Sequence, residues 1–116
     1  MIRPLTENER QALRMLVQGL NPDERSRLLA DIETSSVEEV TDDASRLLFH
    51  LAGYQRPKYR GQHAYAVEGV VTDDDGREVT IALYADENDR LFELEFIKWG
   101  DRPLIKPNWN TLRLQP

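Results

Sequence analysis

Between residues 64 and 99 apolar and polar positions alternate in three runs separated by two polar turns, the pattern of a β-meander. Strand side chains point to opposite faces with a period of two. Val79, Ile81 and Leu83 in the middle run and Phe92, Leu94 and Phe96 in the last therefore share faces, and those faces are assigned to the core. The other face carries Glu68, Thr80, Tyr84, Glu93, Glu95, Ile97 and Trp99. It is more aromatic and more acidic than a solvated sheet surface requires. Glu68, Tyr84, Glu93, Glu95 and Trp99 are accordingly the candidate partner-binding residues.

Helical spacing precedes the meander. Thr6 with Glu9 reads as a capping box, and Ala12, Leu13, Leu16, Val17 and Leu20 follow as one apolar stripe, with Gly19 supplying a left-handed stop. Asn21 then caps a second helix, with Pro22 in its first position and Asp23 and Glu24 against the helix dipole. Leu28, Leu29 and Ile32 give that helix a narrow apolar edge, leaving Arg25, Arg27 and Asp31 to solvent. Residues 37–41 and 46–51 flank the polar cluster Asp42-Asp43-Ala44-Ser45 and read as a hairpin. Residues 46–52 also fit a helix begun at Asp43, and the strand is preferred. Residues 53–62 read as a surface loop interrupted by Pro57, and the tail beyond Asp101, with Pro103 and Pro107, as irregular with a short edge strand at Leu112-Arg-Leu114.

These elements predict a single α+β domain over residues 1–116, with two N-terminal helices packed on one face of an antiparallel sheet of about five strands and sequential order through the meander. The 116 residues, 40% apolar and 31% charged, have globular composition. The absence of cysteine excludes thiol catalysis and thiolate zinc sites and accords with a reducing, cytoplasmic setting. No apolar run approaches the roughly 20 residues that span a bilayer, so no membrane partner is expected. A net charge of −6 disfavours phosphate-backbone binding and fits either plain solubility, the commoner reading, or a cationic protein partner.

Each candidate chemistry has a plainer reading beside it. Asp73-Asp74-Asp75-Gly76 gathers oxygen ligands, yet its acids are adjacent where a calcium loop alternates them, and Asp-Gly between alternating runs marks a hairpin turn. His50 and His63 lack the spacing that places two ligands together, so neither a metal nor a cofactor is expected. No Gly-x-Ser-x-Gly elbow or glycine-rich phosphate cradle occurs. Glu93 and Glu95 as an acid–base pair would need apolar shelter for one carboxyl, and no catalytic residue is assigned. The loop Tyr54-Gln-Arg-Pro-Lys-Tyr-Arg60 mixes cations with aromatics as single-strand binders do, but the acidic whole lacks a broad basic footprint, so no nucleic-acid partner is expected.

The opening Arg3-Pro4-Leu5-Thr6-Glu7-Asn8-Glu9, the Asp-Gly hairpin, and Leu91-Phe-Glu-Leu-Glu95 followed by Pro103-Leu-Ile105 together resemble a family of small bacterial proteins of unknown function. The resemblance implies the α+β order and a bacterial origin, and carries no residue role. As a small, acidic, cysteine-free α+β chain the protein is also similar in kind to immunity proteins of bacterial toxin systems. The expectation that follows is a non-catalytic interaction domain that neutralises a cationic toxin; a small-ligand binder or enzyme using the acidic-aromatic face is the alternative.

Overall fold

The computed structural model describes residues 2–58 and 61–115. In chain order the elements are β1 (Ile2–Pro4), α1 (Glu7–Val17), α2 (Pro22–Glu33), β2 (Ser35–Glu39), β3 (Arg46–Leu51), β4 (His63–Asp73), β5 (Glu78–Ala85), β6 (Leu91–Ile97) and β7 (Pro107–Gln115). Both helices begin where their caps predict. Thr6 Oγ1 accepts from the Glu9 amide at 3.1 Å while Glu9 Oε1 accepts from the Thr6 amide at 2.8 Å. Asn21 Oδ1 accepts from the Glu24 amide at 2.8 Å, with Pro22 in the first helical position. Among the described residues no helix is long and apolar enough to cross a membrane.

The strands form one antiparallel sheet in the order β1-β2-β3-β6-β5-β4-β7. Among the described residues seven strands replace the expected five or so. β1, with 3 residues, is too short to show alternation, and β7, expected only as a short edge strand at Leu112-Arg-Leu114, runs for 9 residues from Pro107, its period hidden by that proline and a bulge. The meander β4-β5-β6 is sequential as expected, and β2-β3 is the expected hairpin, so residues 46–51 are strand. The hairpin joins the meander through β6, placing Leu47 opposite Leu94 and Leu48 opposite Glu93.

α1 and α2 lie on the same side of the sheet. Leu13, Leu16 and Val17 of α1 and Leu28 and Ile32 of α2 pack with Val71, Val79, Ile81, Leu83, Leu94 and Phe96 in one apolar cluster. Phe92 departs from the alternation. A β-bulge on β6 sets Glu93 and Leu91 opposite the consecutive residues Tyr84 and Ala85 of β5 and leaves Phe92 as the extra residue, so Leu91 is fully buried in the core and Phe92 is turned out of it. Gly19 is also not the left-handed stop that its position suggests, since it has no positive φ. A Cβ there would lie 2.7 Å from Val67 Cγ2, so the glycine serves the close approach of the helix corner to β4. Asp31, expected in solvent, is buried for a reason given below.

The core face is open to a direct test. Leu94 is fully buried at the centre of the sheet. Leu94→Ala is expected to cost about 2–5 kcal/mol through lost transfer energy plus a cavity. Chemical denaturation checks this, and a midpoint that hardly moves would show that the cluster is not the stabilising core.

Candidate functional site

Both helices pack on the core side, and no helix among the described residues covers the other sheet face. Register brings four of the five candidate residues together there: Tyr84 stands opposite Glu93, Ala82 opposite both Glu95 and Glu68, and Arg46 of β3 opposite Glu95. Tyr84 donates its hydroxyl to Glu95 Oε1 at 3.0 Å. Burial first, then the Glu95 hydrogen bond and the charges of Glu95, Glu93 and Glu68, push the Tyr84 phenol above its ordinary value. All three carboxylates thus act on one phenol.

The four residues have different exposures. Glu93 is only 2% exposed, and its Oε2 accepts from Arg46 Nε. No donor among the described residues reaches Glu93 Oε1. Glu68 lies in solvent at the rim of a groove of about 330 Å³, whose floor is made by Ala64, Ala66 and Ala82 and whose wall includes Tyr84 and Gln115. Small side chains at three adjoining positions and an irregularity in the β4–β5 register between Ala64 and Glu68 make this hollow. Among the described residues no cationic side chain lines it. Trp99 stands apart, beyond the end of β6, at 78% exposure.

Two charged networks flank this face at opposite ends, and both answer questions the sequence left open. At one end Arg56 donates through Nη1 to Asp86 Oδ2 at 2.6 Å and through Nη2 to the carbonyls of Phe49 and Leu91 at 2.8 and 2.9 Å. Its guanidinium also lies 4.8 Å from the Phe92 ring centroid, which explains where that residue goes. Tyr54 donates to Asp86 Oδ2 at 2.7 Å and stacks under Arg90, 4.3 Å from ring centroid to guanidinium. Arg90 in turn holds both oxygens of Asp31, which also accepts from the Leu91 amide at 3.1 Å; that is why Asp31 is buried. The aromatic and cationic residues Tyr54 and Arg56 are thus committed to structure, and Tyr59 and Arg60 of the same sequence motif lie outside the described residues.

At the other end the acidic turn is a hairpin turn, closed by the Asp73 amide donating to the Arg77 carbonyl at 2.8 Å, with Gly76 at φ +83°. Lys98 Nζ donates to Asp73 Oδ2 at 2.7 Å, to Asp75 Oδ2 at 2.8 Å and to the Pro103 carbonyl at 3.0 Å. Asp73 also accepts from the amides of Ile105 and Lys106 at 3.0 and 2.7 Å, anchoring the segment that leads into β7. The oxygen cluster therefore already surrounds a cation, the lysine ammonium. His50 pairs with Glu38 at 3.0 Å and His63 with Asp89 at 3.1 Å. Among the described residues no group of three or more histidines and acids is arranged to hold a metal ion.

A model of the family described as domain of unknown function DUF6984 matches residues 2–108. The chain belongs to the DUF6984 family. No curated protein and no solved structure matches it. All of Glu68, Tyr84, Glu93, Glu95 and Trp99 fall inside the DUF6984 match, as do Asp73, Lys98 and Arg56, whereas most of β7 lies past its end. Of the residues that organise this face, Arg46 carried no signal in the sequence and Arg56 was legible only as part of the cation–aromatic loop, because their partners are 47 and 30 residues distant.

The Asp73 clamp makes the fold acid-sensitive. Burial raises the Asp73 carboxyl and is outweighed by the Lys98 ammonium and the amides of Ile105, Asp74 and Lys106, which hold it at about 2 against an ordinary 3.8. Asp43, whose Oδ2 takes the Leu104 amide, is likewise held at about 2. A depressed carboxylate stabilises the fold above its unfolded pKa and stops doing so as pH falls through its folded one. Melting temperature is therefore expected to drop between about pH 4 and pH 2, and Asp73→Asn to flatten that slope while lowering stability at neutral pH. Thermal scans across pH check both. Because Lys98 occupies the oxygen cluster, adding calcium is expected to leave the melting temperature unchanged, and a chelator-reversible rise would show a metal displacing the ammonium.

Proposed function

We propose that the protein is a non-catalytic interaction domain and that its open sheet face receives a cationic protein partner. The observation that carries this reading is the groove at Glu68 and Tyr84. It is concave, lined with alanines and, among the described residues, by no basic side chain, and it is backed by three carboxylates whose charges all act on Tyr84. A lysine or arginine side chain entering it would meet the Glu68 carboxylate, the Tyr84 ring face and the hydroxyl oxygen that Tyr84 presents while donating to Glu95. Exposed Trp99, at the end of the face, adds a large apolar contact of the kind that anchors interfaces. A basic toxin domain, the partner of immunity proteins, has the required charge, and a toxin gene adjoining the gene for this chain would favour that identity.

The test is kinetic. Tyr84→Ala and Glu68→Lys both leave the core untouched, whereas Glu93 is buried and unsuited to charge reversal. With a co-purified native partner, Tyr84→Ala is expected to speed dissociation roughly tenfold, as loss of an aromatic anchor does. Glu68→Lys is expected to slow association and weaken its salt dependence instead. If both variants fold and bind like the parent, the groove is a solvated surface.

A further inference from the structure

α1 and β7 enclose a second groove, on the helix side of the molecule and distinct from the one at Tyr84. It consists of two hollows, about 350 and about 240 Å³, which share Asn8, Trp109 and Asn110. The inner hollow adds Gln11, Met15 and Leu112; the outer one continues along Asn108 and ends at Lys106 and Asp74. Its volumes fall in or near the range of small-molecule sites.

The shape of β7 builds this groove. Between Val70 and Thr72, β4 advances by two residues while β7 passes from Arg113 to Asn108, so the intervening stretch leaves the ladder. Thr111 Oγ1 secures the departure, accepting from the Thr72 amide at 2.8 Å and donating to the Asn108 carbonyl at 2.6 Å. Trp109 and Leu112 are thereby carried against the core cluster, and Trp109 meets Phe96 edge to face at 5.8 Å and 71°. Gly69 allows the closure, since a Cβ there would stand 3.0 Å from Leu16 Cδ2 and 3.1 Å from Leu112 Cδ1. The indole is a fixed, half-buried wall, and its Nε1–H meets no acceptor among the described residues.

The chemistry of the lining selects a ligand class. Four carboxamides, of Asn8, Gln11, Asn108 and Asn110, line the groove together with one indole, Gln11 also donating to Glu7 Oε1 at 3.3 Å, and among the described residues no ionisable side chain lines the inner hollow. Each carboxamide offers an acceptor oxygen and two N–H donors side by side, which suits a pair of adjacent hydroxyls that both donate and accept. The side chains of Asn8 and Asn110 are not committed to any protein group among the described residues, and Asn108 Oδ1 takes only the Asn110 amide, at 3.2 Å. Charge at the outer end is of both signs, Lys106 with Asp74, and so favours neither an anion nor a cation. We infer that the α1–β7 groove binds a neutral, polyhydroxylated ligand, an oligosaccharide that spans both hollows with one ring against Trp109.

The two tryptophans make the site testable. Trp99 is exposed and outside the groove, so in Trp99→Phe protein Trp109 is the sole tryptophan reporter. Titration with maltotriose, cellotriose and chitotriose to millimolar concentration is expected to give a saturable shift in emission with at least one of them. Adding Asn8→Ala and Asn110→Ala is expected to weaken that binding by about tenfold or more, with an unchanged melting curve, because two hydrogen-bonding groups are removed from an exposed wall. Titrations with triglycine and uridine separate the saccharide from a peptide or a nucleobase. No response to any of the three sugars, a response that survives the double substitution, or saturable binding of triglycine or uridine in place of the sugars would overturn the assignment.

Discussion

The β3–β6 pairing carries the whole sheet, because it is the ladder through which β1-β2-β3 is joined to β6-β5-β4-β7. It runs for three residue pairs, Arg46 with Glu95 to Leu48 with Glu93, and stops where the bulge at Leu91 and Phe92 begins. Past that point the Phe49 and Leu91 carbonyls face the gap, and a buried carbonyl left without a donor costs free energy comparable to a lost hydrogen bond. Arg56 supplies the donors. Its planar fork reaches both carbonyls with one nitrogen and Asp86 with the other, a bridge a lysine could not reproduce. At the paired end Arg46 on Glu93 closes the same seam from the open face. Two arginines thus extend a short ladder into a junction able to hold seven strands in one sheet.

The same economy explains where the acidic charge goes. Glu9, Asp31, Asp73, Asp86 and Glu93 are all buried, and each is held by a cation: Arg3, Arg90, Lys98, Arg56 and Arg46 respectively. Removing one partner of such a pair is far costlier than the pair's net worth, since it strands a buried charge. A composition that looks like a uniformly acidic surface is therefore partly an internal set of ion pairs joining elements distant in sequence. The acidic charge left on the open face is narrower than the net charge suggests, and it is concentrated at Glu68 and Glu95 around Tyr84.

Local rules made much of this legible from sequence. Thr6 with Glu9, Asn21 with Pro22, and the Asp-Gly turn are satisfied within a few residues of chain, so their chemistry is written in contiguous letters. Period-two alternation placed Val79, Ile81, Leu83, Leu94 and Phe96 correctly because all five lie in uninterrupted ladder. It failed at Phe92 because one bulge shifts the parity of everything on its far side. Gly19 misled for a related reason: a glycine that ends a helix and a glycine that admits Val67 look alike until the facing strand is in place. The candidate site followed the same division. Glu68, Tyr84, Glu93 and Glu95 were legible as one face from parity alone, whereas the burial of Glu93 depends on Arg46 arriving from another hairpin, and the position of Trp99 depends on where β6 stops.

The sheet's edges complete the functional picture. An open edge strand is a template for pairing with another chain, and natural sheets blunt it with short strands, proline and bulges. Here β1 is 3 residues long and ends in Pro4, while β7 starts at Pro107 and leaves the ladder before returning at Arg113. Arg113 pairs across the flank with Glu78 at 2.6 Å, adding charge to that edge. Neither edge offers a long, regular run of free backbone groups, so strand addition is disfavoured on both sides. Both proposed binding sites accordingly rest on side chains, those of the open face and those of the α1–β7 groove. The bulge that blunts β7 as an edge is the same departure that sets Trp109 beneath α1, so protection against unwanted pairing and the shaping of a groove come from one feature of the chain.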